Sequence, residues 1–192
     1  EEIRKVRKNA VIAACRPSDL DTRQNFRFSE SIFKITGKSL NAFGIDCYPR
    51  PRWIGPGNPP SGSEQDLRSA LEKARKVMKE HCADSRIYIS EYGYFIDYKN
   101  RKDASLQIEQ ANRLARSFIF ARALGFESLH YYTGQYWSNL LENGRYTMSI
   151  WERGLPMRAV AAYSAAAHAV ENVTKAEIVE LSRYFSGVVF EK

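Results

Sequence analysis

The order of residue patterns along the chain constrains the fold more than any single motif does. Short β-rich runs and longer stretches with apolar residues at helical spacing alternate four times. "EEIRKVRK" places Ile3 and Val6 at helical spacing and leads straight into the strand pattern "AVIAAC", closed by Arg16-Pro17. A short helix is predicted through "SESIFKIT", stopped by Gly37, and the strand "AFGIDCYP" follows. Ser63 is the predicted cap of the next helix, with Leu67, Leu71, Ala74 and Met78 as its buried face. After the strand "RIYISE" comes a helix capped by Asp103, with Ala111, Leu114, Ala115, Phe118 and Ala121 on one face and Gly125 at its end. "FESLHYY" is the fourth strand, and the last helix accepts Pro156 in its first turn and runs to about Asn172.

A βαβαβαβα order implies a parallel sheet, because each helix must return the chain to the end of the sheet where it started. Four such units are half of an eight-unit barrel. The loops "RPRWIGPGNPPSGS" and "TGQYWSNLLENGRYTMSIWERGL" are long, and long connections in compact domains often carry function. The tail "AEIVELSRYFSGVVFEK" breaks the alternation. Its two β-type runs, with a turn near Ser186-Gly187, read as the opening hairpin of an all-β domain. The expected organisation is therefore α/β: residues 1–173 form the half-barrel and residues 174–192 the first strands of a second domain.

Charge and motif content exclude several functions. The 29 Lys and Arg against 22 Asp and Glu give +7, but the two signs are interleaved in "EEIRKVRK", "LEKARKVMKE" and "KNRKDAS". That distribution describes a solvated surface rather than a nucleic-acid stripe, so no nucleic-acid partner is expected. No apolar run is long enough to span a bilayer. Cys15, Cys47 and Cys82 have neither CxxC spacing nor an even count, so they are read as buried thiols. His81, His130 and His168 show no HExxH spacing, and no metal site is expected. GxGxxG, GxxxxGK[ST] and GxSxG are all absent, which removes the main support for dinucleotide, P-loop and serine-hydrolase chemistry; no cofactor is implied.

What remains is a carboxylate at a strand end. In βα repeats, reactive residues sit at the carboxyl ends of strands, where loops converge. Glu91 closes "RIYISE". Strict alternation puts Ile87, Ile89 and Glu91 on one face. On the preceding strand Ala42, Gly44, Asp46 and Tyr48 share a face predicted to line the barrel interior, so Tyr48 arrives beside Glu91 with a hydroxyl able to orient it. The competing reading is a strand-end acid paired with an Arg or capping the next helix. Asp46, Arg50 and Asp97 are read as ion-pair or loop residues. Aromatic residues follow the strand ends in number, and Trp53, Tyr92, Tyr94, Tyr132 and Trp137 are the candidates for stacking on sugar rings.

The segment "ISEYGY" resembles the seventh-strand motif of retaining glycoside hydrolases of clan A, the (β/α)8 superfamily. "NAFGIDCYPRP" is similar to the sixth strand, "GFESLHYYTG" with "QYWSNLLENG" to the eighth strand and its loop, and "LPMRAVAAYSAAAHAVENV" to the final helix. The tail resembles the start of the β-sandwich that often follows. The resemblance implies strands five to eight of a TIM barrel and a β-linked carbohydrate substrate. It also implies Glu91 as the catalytic nucleophile and Tyr48 as its neighbour. The acid/base of that clan is a Glu after an Asn, and no Asn-Glu dipeptide occurs here. It is expected before Glu1, in a missing N-terminal half that acts as a partner, and this piece alone is expected to be inactive. The alternative is a non-catalytic carbohydrate-binding barrel. Location is left open, with a secreted or periplasmic one preferred to the cytoplasm.

Overall fold

The structure is a computed structural model and describes residues 2–15, 26–48, 53–54, 63–82, 86–132, 146–147, 149–152, 154–182 and 185–192. Four strands, β1 (Ala13–Cys15), β2 (Ala42–Asp46), β4 (Arg86–Tyr92) and β6 (Leu129–Tyr131), form one sheet in that order. Every neighbouring pair is parallel, as the alternating pattern requires. The crossovers run through α2 (Arg27–Thr36), α3 (Ser63–His81) and α4 (Ala104–Leu124), with α1 (Glu2–Val6) before β1 and α5 (Arg158–Val170) after β6.

One face of the sheet is apolar and closed. Phe43, Ile45 and Cys47 of β2 and its end, with Ile87 and Ile89 of β4, are each at most 4% exposed. They join a core with Phe33 of α2, Leu67, Leu71, Ala74 and Met78 of α3, and Leu114 and Phe118 of α4. The Phe33 and Phe43 rings meet edge to face at 4.8 Å. Each fully buried aliphatic or aromatic side chain here contributes about 1.5–3 kcal/mol of transfer free energy, so this layer dominates stability. The opposite face carries Gly44, Asp46, Tyr88, Ser90 and His130, small or polar side chains that would weaken a second apolar layer.

The helix ends follow local chemistry. Asp103 caps α4 by accepting hydrogen bonds from the amides of Ser105 and Leu106, and Gly125 ends the helix in the left-handed region at φ 90°. Gly37 is different. It stops α2 with a right-handed φ of −55° and opens a short 3-10 turn, Gly37–Ser39. Its requirement is space: a Cβ there would lie 2.2 Å from the carbonyl oxygen of His81. Pro156 is not in the first turn of α5, which starts at Arg158. It pairs instead in a two-strand contact between β8 (Trp151–Glu152) and β9 (Leu155–Pro156). The helix also stops earlier than expected, at Val170, and Asn172 takes a positive φ of 57° beyond it.

Among the described residues, two further features besides the β8–β9 pair lie outside the βα alternation. Strands β3 (Trp53–Ile54), β5 (Phe95–Asp97) and β7 (Tyr146–Thr147) make a small sheet from the segments that follow β2, β4 and β6. Segments of two or three residues carry too little periodicity to be read from sequence. The tail forms an antiparallel ribbon, β10 (Lys175–Ser182) with β11 (Phe185–Glu191). Ser186 and Gly187, expected at its turn, lie inside β11. Ile178 and Val188 share a face packed on the core, and on the other face Lys175 pairs with Glu191 at 2.8 Å. A two-stranded ribbon alone is marginal, so this packing supports it.

Candidate active site

Strict alternation would keep Glu91 on the side of Ile87 and Ile89, and the structure corrects that expectation. Ile45 pairs with Ile89, yet the next residue of β2, Asp46, pairs with Glu91. Ser90 is therefore the extra residue of a β-bulge, which places two residues of β4 opposite one of β2. Ile87 and Ile89 stay in the helix-packed layer. Glu91 turns to the polar face, while its carbonyl accepts a 3.0 Å hydrogen bond from the amide of Cys47.

The polar face is then built in tiers. At its floor the Tyr88 ring fills the space a Gly44 side chain would need, with a hypothetical Cβ only 2.8 Å from the ring. The Tyr88 and His130 rings lie 6.1 Å apart. Above them, Ser90 Oγ donates to Asp46 Oδ1 at 2.8 Å. At the carboxyl end of the strands, Tyr48 Oη donates to Glu91 Oε2 at 2.8 Å. Sequence reasoning anticipated the proximity of Tyr48 and Glu91 from alternation along both strands; the β2 half holds, whereas on β4 the bulge, not alternation, brings Glu91 to that face. Glu91 is half-buried, reachable by solvent yet held on one side.

Burial raises the Tyr48 phenol far above the ordinary tyrosine range, and the bond to Glu91, the Glu91 charge, Asp46 and Tyr132 push it further. The hydroxyl therefore remains a donor through neutral pH. A carboxylate that accepts from a permanently protonated phenol keeps a fixed direction, with its second oxygen left to act on another group. The Phe95 ring, 6.3 Å from that of Tyr48, flanks the phenol from the small sheet.

The aromatic candidates separate. Tyr132 is 41% exposed, close enough to Tyr48 to act on its phenol, and its amide donates to the Tyr92 carbonyl at 2.7 Å. Tyr92 and Tyr94 are each 0% exposed and present no ring to a ligand. The bulge returns Tyr92 to the helix side, where its hydroxyl donates to Tyr94 Oη at 2.7 Å and pairs with Ser117 of α4. Ser117 in turn donates to the Arg113 carbonyl at 2.8 Å. Gln110 donates to the Tyr94 carbonyl at 3.2 Å and to Tyr131 Oη at 3.3 Å, and Arg113 lies over the Tyr94 ring at 5.5 Å. Burial raises the Tyr92 and Tyr131 phenols as well. Trp137 lies outside the described residues, as does the side chain of Trp53.

Sequence reading missed the Asp46–Ser90 contact and the polar anchor of Ser117 and Gln110. The first depends on a bulge, which leaves no local signal; the second sits on the buried stripe of a helix, where Ser and Gln at helical spacing were the available clue. Clefts of about 620 and 630 Å³ lie elsewhere among the described residues, one lined by Phe118, Arg122, Phe126 and His168, the other by Arg75, Leu124 and Ile178. Among the described residues, no three His, Cys, Asp or Glu side chains gather to hold a metal ion, and no helix is long and apolar enough to cross a membrane.

No protein-family model matches the chain, and no curated protein matches it. Among solved structures it is similar to a mutant of a GH128 (subgroup I) endo-β-1,3-glucanase from Amycolatopsis mediterranei in complex with laminarihexaose, with a TM-score of 0.50 and 15% identity. That match covers 80% of this chain and 57% of the other, so the chain spans little more than half the length of the enzyme it resembles. The same enzyme with laminaritriose gives a TM-score of 0.49 and 18% identity over 80% of this chain and 56% of that one. At such identities the likeness is one of fold: a mixed α/β architecture with a parallel sheet and helices.

Proposed function

We propose that the full-length protein is a retaining glycoside hydrolase acting on a β-linked glucan, with Glu91 as its nucleophile. The observation that carries the reading is the 2.8 Å bond from Tyr48 to Glu91 at the carboxyl end of a parallel sheet, on the face not packed by helices. The fold it shares with an endo-β-1,3-glucanase supports β-1,3-glucan as the substrate class.

In the first step Glu91 attacks the anomeric carbon, the glycosidic C–O bond breaks, and a second carboxylic acid about 5–5.5 Å away protonates the departing oxygen. In the second step that group, now a carboxylate, takes a proton from water, and the water oxygen displaces Glu91 from the sugar. Tyr48 holds the carboxylate in line and releases it without exchanging a proton. Asp46 is engaged by Ser90, so the acid is assigned to a residue outside those described. In this reading the sheet is strands five to eight of a (β/α)8 barrel, completed by an N-terminal half, and the ribbon opens a β-sandwich.

A binding-only barrel is the second reading, favoured by the lack of an Asn-Glu dipeptide in the chain. Cleavage of laminarihexaose by the full-length protein separates the two. The enzyme reading predicts cleavage that Glu91→Gln abolishes while glucan binding persists; cleavage by the Glu91→Gln variant at the wild-type rate contradicts it.

A further inference from the structure

We propose that Ser90 and Asp46 form a clamp that fixes the β-bulge and thereby positions Glu91. The role rests on Glu91 being the reacting carboxylate. Between Ile45–Ile89 and Asp46–Glu91 the register slips by one residue, and the residue left over is Ser90. An unpaired residue in a strand is free to flatten back into alternation unless something holds it. Ser90 is held: its hydroxyl reaches across to Asp46, 44 positions away in sequence, at 2.8 Å.

The alternative register shows what the clamp prevents. Without the bulge Glu91 would sit opposite Cys47, on the face of Phe43, Ile45 and Ile89, where those three side chains are at most 1% exposed. A carboxylate there would be desolvated and separated from Tyr48. Tyr92 would move the other way, out of its contacts with Tyr94 and Ser117. The bulge therefore sets two side chains at once, the acid on the polar face and the phenol in the core. The same slip recurs on the other side of β4, between Ile89–Leu129 and Tyr92–Tyr131, so both neighbouring strands accommodate it. Asp46 is 6% exposed, which gives its bond to Ser90 little competition from water.

Ser90 and Asp46 are positioning residues, acting through Glu91. In the full-length protein, Ser90→Ala should lower kcat on laminarihexaose by about 100-fold, the cost of an ångström-scale misplacement, with KM within about twofold of wild type. Ser90→Thr, which keeps the hydroxyl, should restore most of the rate. A kcat for Ser90→Ala within about twofold of wild type, or a Ser90→Thr variant as impaired as Ser90→Ala, overturns the clamp. Amide exchange at Cys47, which donates to the Glu91 carbonyl, supplies a readout independent of turnover. It should quicken by about tenfold or more in Ser90→Ala and stay near wild type in Ser90→Thr. Unchanged exchange in Ser90→Ala refutes the clamp whatever the kinetics. If the wild type cleaves no glucan, the functional reading fails and the exchange result alone decides.

Discussion

Tyr48 and Glu91 meet through a 2.8 Å hydrogen bond although 43 positions separate them in sequence. Parallel pairing of β2 with β4 brings their strand ends together, and the Ser90 bulge turns the carboxylate to the side from which the phenol comes. Removing the hydroxyl tests the contact. A hydrogen bond to a charged group is worth about 1.5–3 kcal/mol, so Tyr48→Phe should lower kcat of the full-length protein by roughly 10- to 100-fold. Steady-state kinetics on laminari-oligosaccharides would show this, and an unaltered kcat would remove Tyr48 from the account.

Stability at high pH follows from the tyrosines. Burial raises the phenols of Tyr48, Tyr92 and Tyr131 above the ordinary tyrosine value of about 10. The native state holds these protons after the unfolded chain has begun to release them. Their contribution is therefore complete below pH about 10 and declines as pH rises toward the native values. Urea unfolding between pH 9 and 11.5 should show a falling midpoint, and a smaller fall in Tyr92→Phe. A midpoint flat across that range contradicts the burial of these groups.

Tyr132 and Tyr94 should separate binding from stability. Tyr94 is fully buried, and Tyr94→Ala should cost about 3–5 kcal/mol of folding free energy. Tyr132 stands at the open end of the site, so Tyr132→Ala should cost under about 1 kcal/mol and weaken glucan binding by up to about tenfold. Chemical denaturation with glucan titration distinguishes them; equal destabilisation by both would mean that the two aromatic environments do not differ.

Two glycines offer a contrast in packing. Gly37→Ala drives a methyl against the His81 backbone, which cannot step aside, and should cost about 2 kcal/mol or more. Gly44→Ala meets the far end of the Tyr88 side chain, which can adjust its torsions where backbone cannot, and should cost about 1 kcal/mol. Thermal melts that rank them in reverse would show that the Tyr88 ring is held more firmly than the backbone at His81.

Periodicity revealed most of the fold. Leu67, Leu71, Ala74 and Met78 are all at most 2% exposed, as a single helical stripe demands, and Asp103 and Gly125 bracket α4 because their chemistry is local. The site was legible only where alternation held. Parity along β2 placed Tyr48 correctly, but parity along β4 fails at Ser90, where one extra residue exchanges the faces of Glu91 and Tyr92. That exchange is why Tyr92, expected to meet sugar, lies in the core. Tyr94 follows it inward because Ser117 and Gln110, two polar residues on the buried stripe of α4, offer it partners.

The most direct test is covalent trapping. A 2-fluoroglycoside matched to the substrate slows release of the glycosyl-enzyme, and peptide mapping of the labelled full-length protein locates the ester. One adduct is expected, on Glu91, and none in Glu91→Gln. An adduct on any other residue, in a protein that turns over glucan, would contradict it.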